Sequence, residues 1–299
     1  LSAAVVAAAC LTMTACMGPA MEPAEVGPLM DRAVLRAEEW YDQGGVGEAL
    51  MYLSILEQVD AEDPDVVVLR RRLASADPLP EPTLGRNVTN RVPVERGLWS
   101  RLGWYLPDRL LDLADILSID LHAGWGLYAN VRATRALQLG VGMRDVTGVG
   151  WHGHRSLGVL YQQDAGFNAP FAFGAETSWV GIAGTSGAAA QRHDEEGFIG
   201  PSAPIYQDVR DYWGVGVSVT LLVAGAEIEL HPVEVADFLT GIVLVDLSGD
   251  DVATTRGVDF NEDDRQMIRR LVHVAGSEDL LEGYRELESA GSVLNQPRP

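Results

Sequence analysis

Ile119-Asp120-Leu121-His122-Ala123-Gly124-Trp125-Gly126-Leu127-Tyr128 is the stretch on which the fold turns, because apolar residues alternate along it with polar or small ones. Side chains of an extended chain point to opposite faces in turn, so a period of two marks a strand with one buried face. That reading puts Ile119, Leu121, Ala123, Trp125 and Leu127 on the buried side. The alternation returns at Leu137, Leu139, Val141 and Met143, and again through Val149, Trp151, Leu157, Val159 and Tyr161. Further strands are expected over 171–183, 213–223, 226–230 and 242–247. Most of these segments are joined by short Gly- or Asp-containing turns, which implies antiparallel pairing, since parallel neighbours need a crossover. Glycines inside the strands at 124, 126, 140, 142, 214 and 216 point to strong twist, bulges or close approach of another layer.

Around this core the period is helical. Leu106-Pro107-Asp108 is expected to open a helix to about Leu117, with Leu110, Leu111, Ala114 and Leu117 inward and Asp108, Asp112 and Asp115 largely outward. Residues 184–208 are Ala-, Gly- and Ser-rich and carry Asp194-Glu195-Glu196, which reads as a long loop. His231-Pro232 opens a short helix to about Thr240, and two more follow over 262–274 and 278–290. Nearer the N-terminus, Met30, Ala33, Val34, Ala37, Trp40 and Tyr41 share one helical face, and Gly44-Gly45 ends that helix. Val46, Ala49, Leu50, Leu53 and Leu56 form the stripe of a second helix, and Asp63-Pro64 opens a third through about Ala76. The expected class is α+β: an N-terminal helical hairpin module, a mainly antiparallel Gly-rich β-sheet domain with short helices, and two C-terminal helices.

The division along the chain is a leader at 1–16, a Pro-rich tether at 17–28, a helical module at 29–76, a linker at 77–97, a β-rich domain at 98–250, and an acidic segment with the C-terminal helices at 251–299. From Leu1 to Ala15 there is no charge, and the run closes on Met13-Thr14-Ala15-Cys16. It is too short to span a bilayer, which takes about 20 residues. These residues resemble a bacterial lipoprotein signal, whose lipobox sets a small residue before an invariant cysteine that is cleaved at and acylated. The resemblance implies lipidation at Cys16, a membrane partner held through that lipid, and residence in the cell envelope. Cys10, after three alanines, is the competing position, but the apolar run continues past it. The spacer 17–28, with Pro19, Pro23 and Pro28, suits a tether between an acyl anchor and a folded body. In the helical module, Trp40, Gly44, Ala49, Leu53 and Leu56 resemble the aromatic, Gly, Ala and apolar positions of one tetratricopeptide-type repeat. Its closing proline is displaced to Pro64 and no second full copy follows.

Composition limits the partners. The formal net charge is −21, and every basic residue is Arg. Such a balance repels phosphate backbones, so no nucleic-acid partner is expected. Both cysteines lie in the leader, so a mature chain beginning at Cys16 has no internal disulfide to rely on.

Few residues suggest chemistry. On a strand His152 and His154 would share a face and could ligate one metal, with His122, Asp120 and Asp164 as further donors; the alternative is two solvent-facing imidazoles. Asp259, Asn261 and Asp263 carry the first, third and fifth oxygen ligands of an EF-hand loop, but Asp264 replaces its Gly and Arg270 its bidentate Glu, so an acid-rich helix start explains them as well. No cofactor is expected beyond a loosely held divalent cation. Gly184-Thr185-Ser186-Gly187 lacks the spacing of a nucleophile elbow, and no phosphate loop or dinucleotide fingerprint is present.

Three functions remain in view. The first is a membrane-anchored envelope lipoprotein acting as a non-catalytic interaction or scaffolding protein with an envelope partner. The second is a carrier whose concave apolar sheet, lined by Trp125, Trp151, Trp179 and Trp213, shelters a lipid. The third is a metal-dependent enzyme using His152 and His154. A small outer-membrane barrel ranks below these, because the helix at 232–240 interrupts the strand series and closed barrels want an even count.

Overall fold

The structure is a computed structural model that describes residues 21–75, 92–94, 97–152, 157–185, 188–203, 206, 210–242, 251–253, 255–256, 258 and 260–294. Cys16, His154, Asp259, most of the 77–97 linker and the strand expected over 242–247 lie wholly or almost wholly outside the described residues. The elements are α1 (Val26–Asp42), α2 (Val46–Asp60), α3 (Pro64–Ala74), β1 (Val92–Pro93), α4 (Leu98–Asp115), β2 (Leu117–Ala133), β3 (Gln138–Trp151), β4 (Leu157–Ala169), β5 (Phe173–Gly184), β6 (Ala188–Phe198), β7 (Val215–Leu230), α5 (Pro232–Gly241), β8 (Thr255–Arg256), α6 (Glu262–Gly276) and α7 (Glu278–Leu294). The expected α+β architecture is what the chain adopts.

The main sheet is six-stranded and antiparallel throughout, in the order β6-β5-β4-β3-β2-β7. Each strand from β2 to β6 pairs with the next, and β7 returns to the far side of β2, so the path is a meander with β6 and β7 as its edges. Three expectations are corrected. The 184–208 stretch is not all loop, because Ala188–Phe198 pairs along β5 from Ala183↔Ala188 to Phe173↔Phe198. The segments 213–223 and 226–230 are one strand: its register against β2 shifts between Ala123↔Ala224 and Gly126↔Leu222, where β2 carries one residue more than β7 and Leu222 takes φ +59°. The 149–161 run is instead two strands, ending at Trp151 and restarting at Leu157. Among the described residues, the helix α5 therefore follows the last strand of the six-stranded sheet.

On β2 and β3 the sheet faces are the reverse of those expected, while on β4 Val159 and Tyr161 are buried as expected, in the cluster with the helices. Asp120, His122, Tyr128, Arg144, Gln162 and Asp164 are buried, whereas Ile119, Leu121, Trp125, Leu127, Val141 and Met143 are exposed, Leu127 to 63 %. The period of two is right and its sign is wrong. Helix α4 is inverted in the same way. It begins at Leu98, well before the expected start, and runs through Pro107. Asp108, Asp112 and Asp115 are exposed to 1 % or less while Leu106, Leu110 and Leu113 face outward. The buried acids are matched. Asp108 accepts from the backbone N–H of Val252 and Ala253 at 2.9 and 3.0 Å, and Arg109 bridges Asp112 at 2.7 Å and Asp251 at 2.8 Å. Asp108 and Asp112 thus replace their lost hydration with backbone and charged donors.

A conventional core exists elsewhere. Leu29, Met30, Tyr52, Leu56, Leu69 and Val66 from the first three helices meet Leu271, Val272 and Val274 of α6 in one apolar cluster. That cluster also covers Val159, Tyr161, Trp179 and Ala183 on the outer face of β4 and β5. Tyr52 and Trp40 each meet the ring of Phe260 edge-on. Helix α6 opens with a capping box, in which Asn261 accepts from Asp264 N and Asp264 from Asn261 N.

Candidate functional site

The curl of the sheet brings inward side chains of β2, β3, β4, β5 and β7 around one interior cavity of about 70 Å³. Inward positions are even-numbered on β2 to β5, and on β7 they change parity at the register shift beside Leu222, so that Ser218 and Thr220 precede it while Glu227 and Glu229 follow it. The shift thus aims two carboxylates into the interior.

Arg144 organises the middle of this interior. It donates from Nε to Asp164 Oδ2 at 2.7 Å, from Nη1 to Ser218 Oγ at 2.7 Å and from Nη2 to Glu227 Oε2 at 3.2 Å, and it lies 4.3 Å over the Tyr128 ring. Gly142 lets the β2 backbone approach β3 closely beside it: at φ +137°, an added Cβ would stand 2.1 Å from the Leu127 carbonyl oxygen and 2.7 Å from Tyr128 Cα. Arg210, from the connection between β6 and β7, donates to Asp164 Oδ1 at 2.7 Å and to Glu176 Oε1 at 2.8 Å. Burial pushes the Asp164 carboxyl up, but Arg210 and Arg144 outweigh it and hold the group below the usual carboxylate range. His122 bonds Thr220 Oγ1 at 2.9 Å, and burial, aided by Arg144, lowers it to about 4, so its ring is neutral at pH 7.

Nearer α4, two histidine–carboxylate pairs face the same cavity. His152 Nδ1 lies 2.6 Å from Asp120 Oδ1, and burial raises the Asp120 carboxyl while His152 opposes the rise. His231, the N-cap of α5, sets Nδ1 at 3.1 Å from Asp211 Oδ2 and Nε2 at 2.6 Å from Ser118 Oγ. Its Nδ1 is also 3.7 Å from Glu229 Oε1, whose other oxygen is held by Arg132. Asp211, Glu229 and His231 place their ligand atoms within 4.8 Å of one another, a spacing that suits a cation as well as an ion-pair network.

The residues picked from sequence fare differently. His152 is inward, buried and paired with Asp120, as one of the expected donors, but Asp164 is committed to two arginines and His122 to Thr220. Asn261 serves the cap of α6, and Asp263 is exposed beside it. Of the four tryptophans expected to line a concave apolar face, Trp125 and Trp213 are exposed, Trp125 on the outer face, and Trp179 is buried beneath α6. Trp151 reaches out to the Ala114 carbonyl of α4 at 3.0 Å. The concave side is polar, with Leu160, Val180 and Ile182 as a small apolar cluster within it. Ser118, Asp211 and His231 were not singled out from sequence, since they lie 93 and 20 positions apart with no local motif around the serine.

The second notable surface is the outer face. β2, β3 and β7 present Leu117, Leu127, Val131, Leu139, Val217 and Leu221 to solvent, and register pairs Leu127 with Leu221 and Val131 with Val217. The outward stripe of α4, from Trp99 at 84 % exposure through Leu102, Leu106, Leu110 and Leu113, repeats every three or four residues. At the opposite end of the strands Phe171, Phe173, Phe198 and Trp213 are exposed. The outer face of β6 instead carries Arg192, Asp194 and Glu196. Among the described residues no helix is long and apolar enough to cross a membrane.

Compared with known proteins, the chain matches no family model, no curated protein and no solved structure.

Proposed function

We propose that the chain is an envelope lipoprotein whose partner is the bilayer itself: held by an acyl group at Cys16, it seats the outer faces of β7, β2 and β3 and the apolar stripe of α4 in the membrane surface. The observation that carries this reading is the reversed polarity of that part of the molecule. Proteins in water rarely expose a contiguous apolar patch beyond about 600 Å². Here three adjacent strands, of 17, 14 and 16 residues, and an 18-residue helix turn apolar side chains outward and charges inward. Burying acids under an exposed leucine stripe is favourable only when the exposed side meets something other than water.

The seat is one-sided. A barrel that spans the bilayer needs an apolar band around its whole circumference. This sheet has charges on the outer face of β6, and α6 covers part of β4 and β5. The wet side carries the acidic helical module, which an anionic lipid surface repels, so attachment rests on apolar contact rather than on charge. The test is flotation of the full chain carrying Cys16→Ala with vesicles of neutral phosphatidylcholine. The expected result is binding that survives loss of the acyl anchor and persists in 1 M salt. A folded, monodisperse Cys16→Ala protein that stays at the bottom of the gradient overturns the reading.

A further inference from the structure

The interior cavity holds a hydroxyl, an imidazole and a carboxylate in series. Ser118 Oγ is 2.6 Å from His231 Nε2, and His231 Nδ1 is 3.1 Å from Asp211 Oδ2. All three are at least nine-tenths buried. The tautomer follows from the partners: a carboxylate only accepts, so Nδ1 carries the proton toward Asp211 and Nε2 is left to accept from the serine hydroxyl. That is the arrangement by which an imidazole takes the proton of an attacking alcohol while a carboxylate fixes its orientation.

A second observation shows that the cavity is built to receive something. His152 stands one register step past the last β2–β3 pair, Ile119↔Trp151, which places it across from Ser118 on the inward side. Asp120 holds its Nδ1, and its buried Nε2 has no hydrogen-bond partner among the described residues. Leaving a buried imidazole nitrogen unsatisfied costs stability, as expected of a group kept for a ligand. Ser118, His152 and His231 all line the same cavity.

We propose that this is an acyl-transfer site hydrolysing short-chain esters, with Ser118 as nucleophile, His231 as general base and then acid, and Asp211 as the positioning residue. Ser118 Oγ bonds to the ester carbonyl carbon as its proton passes to His231 Nε2. The tetrahedral adduct collapses, the C–O bond to the alcohol breaks, and the departing oxygen takes that proton from Nε2. Water then attacks the acyl-serine, again giving its proton to Nε2, which returns it to Ser118 Oγ as the carboxylic acid leaves. His152 Nε2, which has no partner among the described residues and faces the same cavity, orients the incoming water. The cavity is small, about 70 Å³, which favours a short acyl group at the serine. The site does not rest on the membrane reading.

The metal alternative is weaker on the same page. One oxygen of Glu229 is already held by the Arg132 guanidinium, so a cation fills part of the cluster. Asp211 Oδ1 also accepts from Trp213 N at 2.9 Å.

The experiment treats the purified full chain with a fluorophosphonate probe and, separately, with p-nitrophenyl acetate. Labelling mapped to Ser118 is expected, abolished in Ser118→Ala, with hydrolysis falling at least 100-fold in Ser118→Ala and in His231→Gln. Asp211→Asn is expected to leave the serine reactive but to shift the pH dependence of labelling, which a purely structural contact does not do. If Ser118→Ala fails to fold, Ser118→Cys keeps the side chain's size. Its alkylation by iodoacetamide is then expected to slow when His231 is also replaced. Folded wild-type protein that takes no probe and hydrolyses the ester no faster than Ser118→Ala overturns the proposal. So does stoichiometric zinc that is lost with His231→Gln.

Discussion

Arg144 on β3 and Asp164 on β4 stand directly opposite each other in register, and Nε reaches Oδ2 at 2.7 Å with both side chains at 2 % exposure or less. A pair this deep loses the hydration of both ions, and holds together because each partner has further bonds to satisfy it. Asp164 collects Arg144, Arg210, Ser178 and Gln162 on its two oxygens. Replacing it with Asn removes the one charge that faces two arginines. The expected loss is about 3–5 kcal/mol of unfolding free energy, read as a lower denaturant midpoint. The double variant Arg144→Met with Asp164→Leu is expected to recover part of that loss, since it leaves fewer unpaired ions behind.

That pair also shows what the sequence conceals. Alternation along Ile119–Tyr128 and Leu139–Met143 identifies strands, but a period of two has no sign. The choice of inward face rests on assuming that apolar side chains leave the outer surface. For α1, α2 and α6 the assumption holds, and Leu29, Leu56 and Leu271 are inside. For α4 and β2 it fails, and Asp112 and Asp120 are inside instead. A signal was present: Arg144 and Asp164 fall on the polar sets of adjoining strands, and opposite charges that pair across a ladder make a satisfied interior. Strand β6 was hidden for another reason, because its Ala- and Glu-rich sequence has poor strand propensity and pairing with β5 overrides it. His152 stood out in the sequence and lines the cavity, whereas Ser118, Asp211 and His231 come together only when β7 closes on β2.

Asp264 ties the N-terminal helices to α6. It accepts from Arg36 Nε at 2.6 Å and from the Tyr52 hydroxyl at 2.9 Å. Burial raises this carboxyl, but the bonds from Arg36 and Tyr52 hold it below its ordinary value. A group depressed in the folded state stabilises the fold fully above its unfolded pKa of about 3.9 and loses that contribution as pH falls through the folded value. The difference in melting temperature between wild type and Asp264→Asn is therefore expected to be constant from pH 7 to about pH 5 and to shrink below about pH 4. Thermal melts by circular dichroism across that range check it, and a difference that grows on acidification contradicts the assignment.

Gly241, at the end of α5, is where Arg109 of α4 lies. A Cβ there would fall 1.0 Å from Arg109 Nη1, which is the nitrogen that meets Asp112 at 2.7 Å. Ala is the better helix former, so on propensity alone Gly241→Ala stabilises. Displacing a buried guanidinium from two carboxylates outweighs that gain, and a net loss of about 1–3 kcal/mol is expected. Hydrogen exchange should show faster exchange in α4 and α5, with α1 to α3 unchanged.

Leu127 and Leu221 are cross-strand partners on β2 and β7 and are 63 % and 61 % exposed on the outer face. Because neither side chain contributes to a packed interior, replacing either with Glu should leave the melting temperature of the detergent-solubilised protein within about 1 °C, as expected of a surface site. Vesicle binding is another matter. Transfer of each half-exposed leucine into lipid contributes about 1–2 kcal/mol, or roughly a factor of ten in partitioning, and a carboxylate in its place adds a desolvation penalty. In the Cys16→Ala background, Leu127→Glu is therefore expected to lower the fraction floated with phosphatidylcholine vesicles by at least tenfold, and the Leu127→Glu, Leu221→Glu double variant to abolish it. Glu196→Gln, on the charged outer face of β6, should leave flotation unchanged. Equal losses from both faces would mean that the three-strand surface has no special affinity for lipid.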